Sequence, residues 1–99
     1  METPDLFGEY AQWWADQLDG FDTVIHAAWY VEPGKYLDSA RNIDCVAGSL
    51  ALGEGALKAG VRHFIGLGTC FEYRLPNAHI DESAEEGPVT LYAAAKLAL

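Results

Sequence analysis

The sequence predicts an α/β fold built around one strand–helix–strand unit. Two short apolar segments, residues 21–28 and 61–68, have the composition of buried strands, and a long helical pattern separates them. Further helical patterns precede and follow this unit. Strands joined by a helical crossover pair in parallel, with a right-handed connection. Pattern alone therefore indicates the fold class and a nucleotide-binding possibility, but it does not identify a reaction.

The first predicted element is a helix from Asp5 to Asp19, and Gly20 is suited to ending it. Apolar side chains recur within it at intervals of three and four residues, which places them on one helical face. They are Leu6, Tyr10, Trp13, Trp14 and Leu18. The segment 21–28 that follows is continuously apolar at its centre rather than alternating. This pattern is typical of a parallel strand that is covered on both faces.

A long helix is predicted from about Ser39 to Ala59, after a loop marked by Pro33 and Gly34, and Gly60 is suited to ending it. Its predicted apolar face consists of Ile43, Val46, Leu50 and Leu57. Glycines inside the helix lower its intrinsic propensity, and we expect them to allow close packing on a sheet. They are Gly48, Gly53 and Gly55.

The remaining elements are a second strand over residues 61–68, a long loop over residues 69–89, and a helix that begins at Thr90. That helix runs to Leu99 in an alanine-rich stretch without a capping residue. We therefore expect the parent sequence to continue beyond this point.

Composition excludes several classes of partner. A formal net charge of −9 argues against binding to nucleic-acid phosphates or to an anionic membrane, and no apolar run approaches the ~20 residues that span a bilayer. Cys45 and Cys70 lack a metal-binding or disulfide spacing, so we expect reduced thiols in a cytoplasmic protein and no metal site.

The strongest chemical pattern is the pair Tyr92 and Lys96. Residues four apart on a helix share one face, and a lysine ammonium near a tyrosine favours the phenolate, which makes tyrosine a usable general acid or base. Thr69 directly follows the second strand, while Ala27 and Ala28 end the first. Open α/β sheets bind ligands at this carboxyl edge, where small side chains let a cofactor approach the backbone.

Four segments then carry a family resemblance. Residues 22–28 resemble the D-x-V-I-H-x-A-A fourth strand of the extended short-chain dehydrogenases/reductases, the nucleotide-sugar epimerase/dehydratase group. Residues 60–65 resemble the G-V-K-R-F-V start of that family's fifth strand, and residues 68–73 occupy the place of its S-S-x-x-V-Y-G segment. Residues 88–96 are similar to its P-x-x-x-Y-x-x-x-K helix. Order and spacing agree along most of residues 21–96.

The resemblance implies a partial Rossmann-like, doubly wound parallel sheet and a cofactor, NAD or NADP. It implies that Tyr92 transfers a proton, that Lys96 binds the nicotinamide ribose and favours the phenolate, and that Thr69 is the hydroxyl partner. It further implies a nucleotide-sugar or related substrate. The implied cofactor-binding residues are Ala27, Ala28, Trp29, Leu67, Gly68, Tyr92 and Lys96.

The sequence also departs from that family. The glycine-rich phosphate loop after the first strand, the first three strands and the carboxyl-terminal substrate lobe are absent. Gly53 and Gly55 do not supply the phosphate loop, because they lie inside a predicted helix. We therefore expect residues 1–99 to be the central fragment of an NAD(P)-binding Rossmann domain.

Local departures from the family pattern reduce the number of candidate reactions. Cys45 stands where the family often has asparagine, which weakens the usual polar role of that position. Sugar dehydratases of the family carry an Asp-Glu pair after the threonine, whereas this chain has Cys70 and Phe71, and Glu72 comes one position late. Epimerisation or carbonyl reduction is therefore favoured over dehydration.

Three hypotheses remain open: a fragment of an NAD(P)-dependent epimerase or reductase, a truncated non-catalytic remnant, and a small binding module with the same fold. We expect the chain alone to be inactive, because a dinucleotide is held chiefly through its pyrophosphate at a glycine turn. We also expect self-association, because both strands of a two-stranded sheet are edges. The sequence does not distinguish NAD from NADP.

Overall fold

A computed structural model describes residues 2–73, 82–88 and 90–99. The regular elements within these residues are α1 (Ala11–Leu18), β1 (Thr23–His26), α2 (Arg41–Ala59), β2 (His63–Gly66) and α3 (Leu91–Ala98). Short 3-10 helices cover Leu6–Gly8, Tyr36–Asp38 and Cys70–Glu72. The predicted α/β class and the order of its elements are confirmed. None of the described helices is long and apolar enough to cross a bilayer.

The two strands pair in parallel, as predicted. The register runs from Thr23 opposite His63 to His26 opposite Gly66. Pairing extends one step beyond the strands, because the Leu67 N–H donates to the His26 carbonyl at 3.1 Å. The carboxyl ends of both strands therefore lie side by side at one edge of the sheet.

The single helix predicted from Asp5 to Asp19 is wrong in its first half. The 3-10 helix Leu6–Gly8 is capped by the Asp5 carboxylate, which accepts a hydrogen bond from the Phe7 N–H at 3.1 Å. The backbone is then extended at Glu9 and Tyr10 before α1 begins. This break lets Leu6–Gly8 pack against α2 as a separate element, and it leaves Tyr10 exposed.

The core lies between α1 and α2. Trp14 and Leu18 of α1 pack with Leu52 and Ala56 of α2. Val24 of β1 packs against the same cluster, so the helical layer covers one face of β1, whereas all four residues of β2 are exposed.

Two of the three glycines inside α2, Gly48 and Gly55, do allow close packing, but against the N-terminal segment and α1 rather than on the sheet as predicted, and Gly53 faces open space. A Cβ atom at Gly48 would lie 2.5 Å from the Cα atom of Phe7, and one at Gly55 would lie 2.7 Å from the Ala11 carbonyl oxygen. Both glycines therefore admit the backbone of the N-terminal segment. Gly60 ends α2 in the left-handed conformation, at φ +80°, as predicted.

The predicted apolar face of α2 is largely exposed. Ile43, Leu50 and Leu57 are all exposed, Leu57 to 80%. The buried face is instead a stripe of mostly small or polar residues, because close helix packing leaves little room for large side chains. It consists of Asn42, Cys45, Gly48, Ser49, Leu52, Gly55 and Ala56.

The strands are also more exposed than their sequence predicts. Ile25 of β1 is 66% exposed and Ile65 of β2 is 47% exposed, whereas Val24 is half-buried. Successive strand residues project to opposite faces, so the helices cover one face of β1, and no element among the described residues covers the opposite face of the sheet. The prediction of coverage on both faces is wrong for this part of the chain.

Candidate active site

Lys96 joins the carboxyl ends of the two strands. Its ammonium donates a hydrogen bond to the carbonyl oxygen of Leu67, just after β2. The same ammonium lies 4.6 Å from the centre of the Trp29 ring, in the segment that follows β1. Three predicted site residues are therefore in contact at the edge of the sheet where parallel α/β folds bind ligands.

Helix α3 presents Tyr92 and Lys96 one turn apart. The helix begins at Thr90, whose hydroxyl accepts a hydrogen bond from the Ala93 N–H at 3.1 Å. This N-cap satisfies a backbone donor that would otherwise lack a partner. Tyr92 is buried, and its ring meets the Tyr36 ring edge-on, with centroids 4.8 Å apart.

Thr69 lies in a tight turn after β2. Its N–H donates to the Glu72 carboxylate, and its hydroxyl accepts a long hydrogen bond of 3.4 Å from the Phe71 N–H. The Phe71 ring is 6.2 Å from the Tyr92 ring. Within the described residues Thr69 is thus linked to Tyr92 through Phe71, and the two side chains share no hydrogen bond.

The predicted cofactor residues do not all line one cavity. A groove of about 820 Å³ includes Leu67, Gly68 and Lys96 at one end and runs along β2 and α2 to Arg62. Ala27, which is exposed, does not line it. Only the end of this groove therefore overlaps the predicted site.

The remaining predicted residues lie apart from that groove. Ala28 is half-buried directly after β1 and does not line the groove. Trp29 lines a separate cavity of about 330 Å³. Tyr92 is absent from the groove wall as well, so the proton-transfer candidate and the groove are distinct features.

Burial lowers the pKa of two basic side chains at the site. Burial lowers the pKa of the Lys96 ammonium, and the Glu72 carboxylate opposes that shift. Burial, followed by the charge of Lys96, lowers the pKa of His26. His26 is buried and forms a 2.7 Å hydrogen bond with the Ser49 hydroxyl.

Sequence reasoning missed Asn42, which is fully buried beside the site. Its carboxamide oxygen accepts a hydrogen bond from the Trp29 indole N–H at 2.8 Å. A signal for its burial was present, because positions 42, 45, 49, 52 and 56 form a stripe at three- and four-residue spacing. That stripe contains small and polar residues, so a search for apolar faces passes over it.

The donor set at Lys96 fits the ribose of a nicotinamide nucleotide. An ammonium has three N–H donors, and Leu67 accepts from one of them. In the described part of the chain the other two have no hydrogen-bond acceptor, and sugar hydroxyl oxygens are suitable acceptors. Among those same residues there is no group of three His, Cys, Asp or Glu side chains that could hold a metal ion.

Comparison with known proteins identifies the family. A search of curated proteins finds no match. The model of the NAD-dependent epimerase/dehydratase family matches residues 10–99, a range that includes both strands, Thr69, Tyr92 and Lys96. Members of this family use a nicotinamide cofactor. Because the match spans nearly all of the 99 residues, the chain belongs to the NAD-dependent epimerase/dehydratase family.

Proposed function

We propose that this chain carries the proton-transfer residues of an NAD(P)-dependent epimerase or carbonyl reductase that acts on a nucleotide sugar. The observation that carries the proposal is the position of Lys96. Its ammonium contacts Leu67 after one strand and Trp29 after the neighbouring strand. A cation held at this edge is suited to bind ribose hydroxyls.

The residues have separate roles in the proposed reaction. Tyr92 transfers a proton to or from the substrate oxygen, and Lys96 holds the ribose. Thr69 donates a hydrogen bond to the same substrate oxygen, and the contact between the following turn, Cys70–Glu72, and α3 supports this role. The nicotinamide supplies the hydride acceptor or donor when it is bound.

The test is a titration of the purified chain with NADH and NADPH, followed by energy transfer from tryptophan. We expect saturable binding that Lys96→Met weakens about 10- to 100-fold, the range for losing a charge-assisted hydrogen bond. Lys58→Met is the matched control, because Lys58 is an exposed lysine of α2 paired with Glu54 at 3.8 Å. Equal affinity of the two variants contradicts the proposal. No binding to the parent chain would mean that the chain has these residues without the phosphate-binding loop needed to use them.

Catalysis needs a separate assay. The expected inactivity of the chain alone stays a prediction, and turnover of either cofactor with a nucleotide sugar would contradict it. If turnover occurs, Tyr92→Phe should abolish it while leaving cofactor affinity largely intact, because only the hydroxyl is removed. A cytoplasmic location also stays a prediction.

Exposure of the sheet favours a second candidate, a non-catalytic module that associates with further copies of itself. Ile25 and Ile65 both lie exposed on the strands, and exposed apolar strands favour association. We expect sedimentation velocity to show oligomers that Ile25→Lys disperses, while Val31→Lys, on an exposed loop, does not. A parent chain that remains monomeric at all concentrations would rule this candidate out.

A further inference from the structure

Asn42 is the most completely buried polar side chain beside the site. Its exposed fraction is 0%, and three of its hydrogen-bonding positions are used. The carboxamide oxygen accepts from the Trp29 indole N–H at 2.8 Å. The amide nitrogen donates to the backbone carbonyls of Tyr36, at 2.6 Å, and Ser39, at 2.9 Å. A buried amide is stable only when it is satisfied in this way.

The partners of Asn42 are the groups that contact the two candidate catalytic residues. Trp29 places its ring 4.6 Å from the Lys96 ammonium. Tyr36 places its ring edge-on against the ring of Tyr92, at an interplanar angle of 88°. Asn42, on the first turn of α2, is therefore connected to Lys96 through Trp29 and to Tyr92 through Tyr36.

The segment between β1 and α2 depends on such a contact. Apart from the 3-10 turn Tyr36–Asp38, it has no regular secondary structure to hold it in place. A ring that stabilises a cation must present its face to that cation, so the orientation of the indole matters as much as its presence. A hydrogen bond at the indole N–H fixes that orientation.

We propose that Asn42 is a positioning residue that holds the Trp29 ring against the Lys96 ammonium and the Tyr36 turn against Tyr92. Its importance for catalysis rests on the function proposed above, whereas the positioning itself does not. Loss of the amide releases the indole, and the Lys96 ammonium then loses one of its two contacts at the sheet edge.

The test uses nuclear magnetic resonance of the full chain labelled with ¹³C-lysine. The chain contains three lysines, Lys35, Lys58 and Lys96. The signal that disappears in a Lys96→Arg variant is that of Lys96. Protons that lie over the face of an aromatic ring resonate upfield. Lys35 and Lys58 are solvent-exposed ion-pair partners, so they give reference positions for the ε-methylene signals.

Asn42→Leu removes the carboxamide with little change of size, and Trp29→Phe keeps an aromatic ring but removes the N–H donor. We expect either change to move the Lys96 ε-methylene signal most of the way to the positions of Lys35 and Lys58. Ser49→Ala is the matched control, since it removes a buried hydrogen bond from the same helix face, to His26 at 2.7 Å, and should leave the Lys96 signal upfield.

A folded Asn42→Leu chain that retains the upfield Lys96 signal overturns the proposal. If Asn42→Leu does not fold, Trp29→Phe decides in the same way. A Ser49→Ala chain that loses the signal equally also overturns it, because the effect would then be general loosening. These readouts need no cofactor, so equal NADH affinity of the Lys96→Met and Lys58→Met variants, together with the expected lysine shifts, would reject the proposed function alone.

Discussion

Two glycines of α2 allow a sharp test of the packing between α1 and α2. A Cβ atom at Gly55 would lie 2.7 Å from the Ala11 carbonyl oxygen and 3.0 Å from the Ala15 backbone nitrogen. At Gly53, two residues away in the same helix, a Cβ atom would have no neighbour within 4 Å. Alanine therefore changes the intrinsic helix propensity equally at the two positions, but it changes the packing only at position 55.

The magnitudes follow from these distances. Ordinary van der Waals contact begins at 3.4 Å, so α1 must retreat by at least 0.7 Å to accept Gly55→Ala. The obstructing atoms are the Cβ atom of Trp14 and backbone atoms of Ala11 and Ala15, none of which can rotate away. Such overpacking lowers the free energy of unfolding by about 1–3 kcal/mol. Replacing glycine by alanine in a helix raises it by about 1 kcal/mol. Gly53→Ala should gain about 0.5–1 kcal/mol.

The assay is urea unfolding followed by tryptophan emission, since Trp14 lies in the packed interface. We expect the midpoint to rise for Gly53→Ala and to fall for Gly55→Ala. The free energy of unfolding falls by about 1 kcal/mol per molar urea, so a difference of about 1–3 kcal/mol between the two variants separates their urea midpoints by about 1–3 M. Equal stabilisation by both substitutions would refute the close approach of α1 to α2.

Two further predictions concern the groups around the site. Burial lowers the pKa of His26 in the folded chain below the ordinary histidine value of 6.5. As the pH falls through 6.5, the unfolded chain therefore binds a proton at this residue more readily than the folded chain does. The free energy of unfolding should therefore decrease as the pH falls from about 7.5 to 5.5. In urea titrations His26→Gln should make that decrease smaller. An unchanged dependence of the free energy of unfolding on pH would show that His26 is not its cause. Thr90→Ala should lower the free energy of unfolding by about 1 kcal/mol through loss of the N-cap of α3, whereas Thr90→Ser should retain most of it. Equal midpoints for the two variants in thermal melts would show that the cap contributes nothing.

The succession of elements could be predicted because each leaves a local signal. The apolar, β-branched centre of residues 23–26, the glycine at position 60 and the hydroxyl at position 90 all act within a few residues of where they stand. The parallel pairing followed from them, because a helical crossover between strands allows little else. The candidate residues Tyr92 and Lys96 were found in the same way, by their spacing on one helix.

The break before α1 could not be predicted, since its cause is distant in the chain. Leu6 and Tyr10 continue the periodic pattern of a helix, yet the backbone is extended at Tyr10 so that Phe7 can reach Gly48. The burial of α2 was misjudged for a related reason. Large apolar residues such as Leu57 suggested a core face, but the close approach of a second helix selects small residues for the contact.

Sequence by itself determined the α/β class, the strand–helix–strand unit and the pair Tyr92 and Lys96, because periodicity, capping and residue spacing are properties of neighbouring residues. Only the tertiary structure decided which face of α2 is buried and that Lys96 contacts both Leu67 and Trp29. It alone revealed Asn42 as the link between Trp29 and the Tyr36 turn. Those contacts join residues far apart in the chain, and they exist only after the helices have packed and the strands have paired.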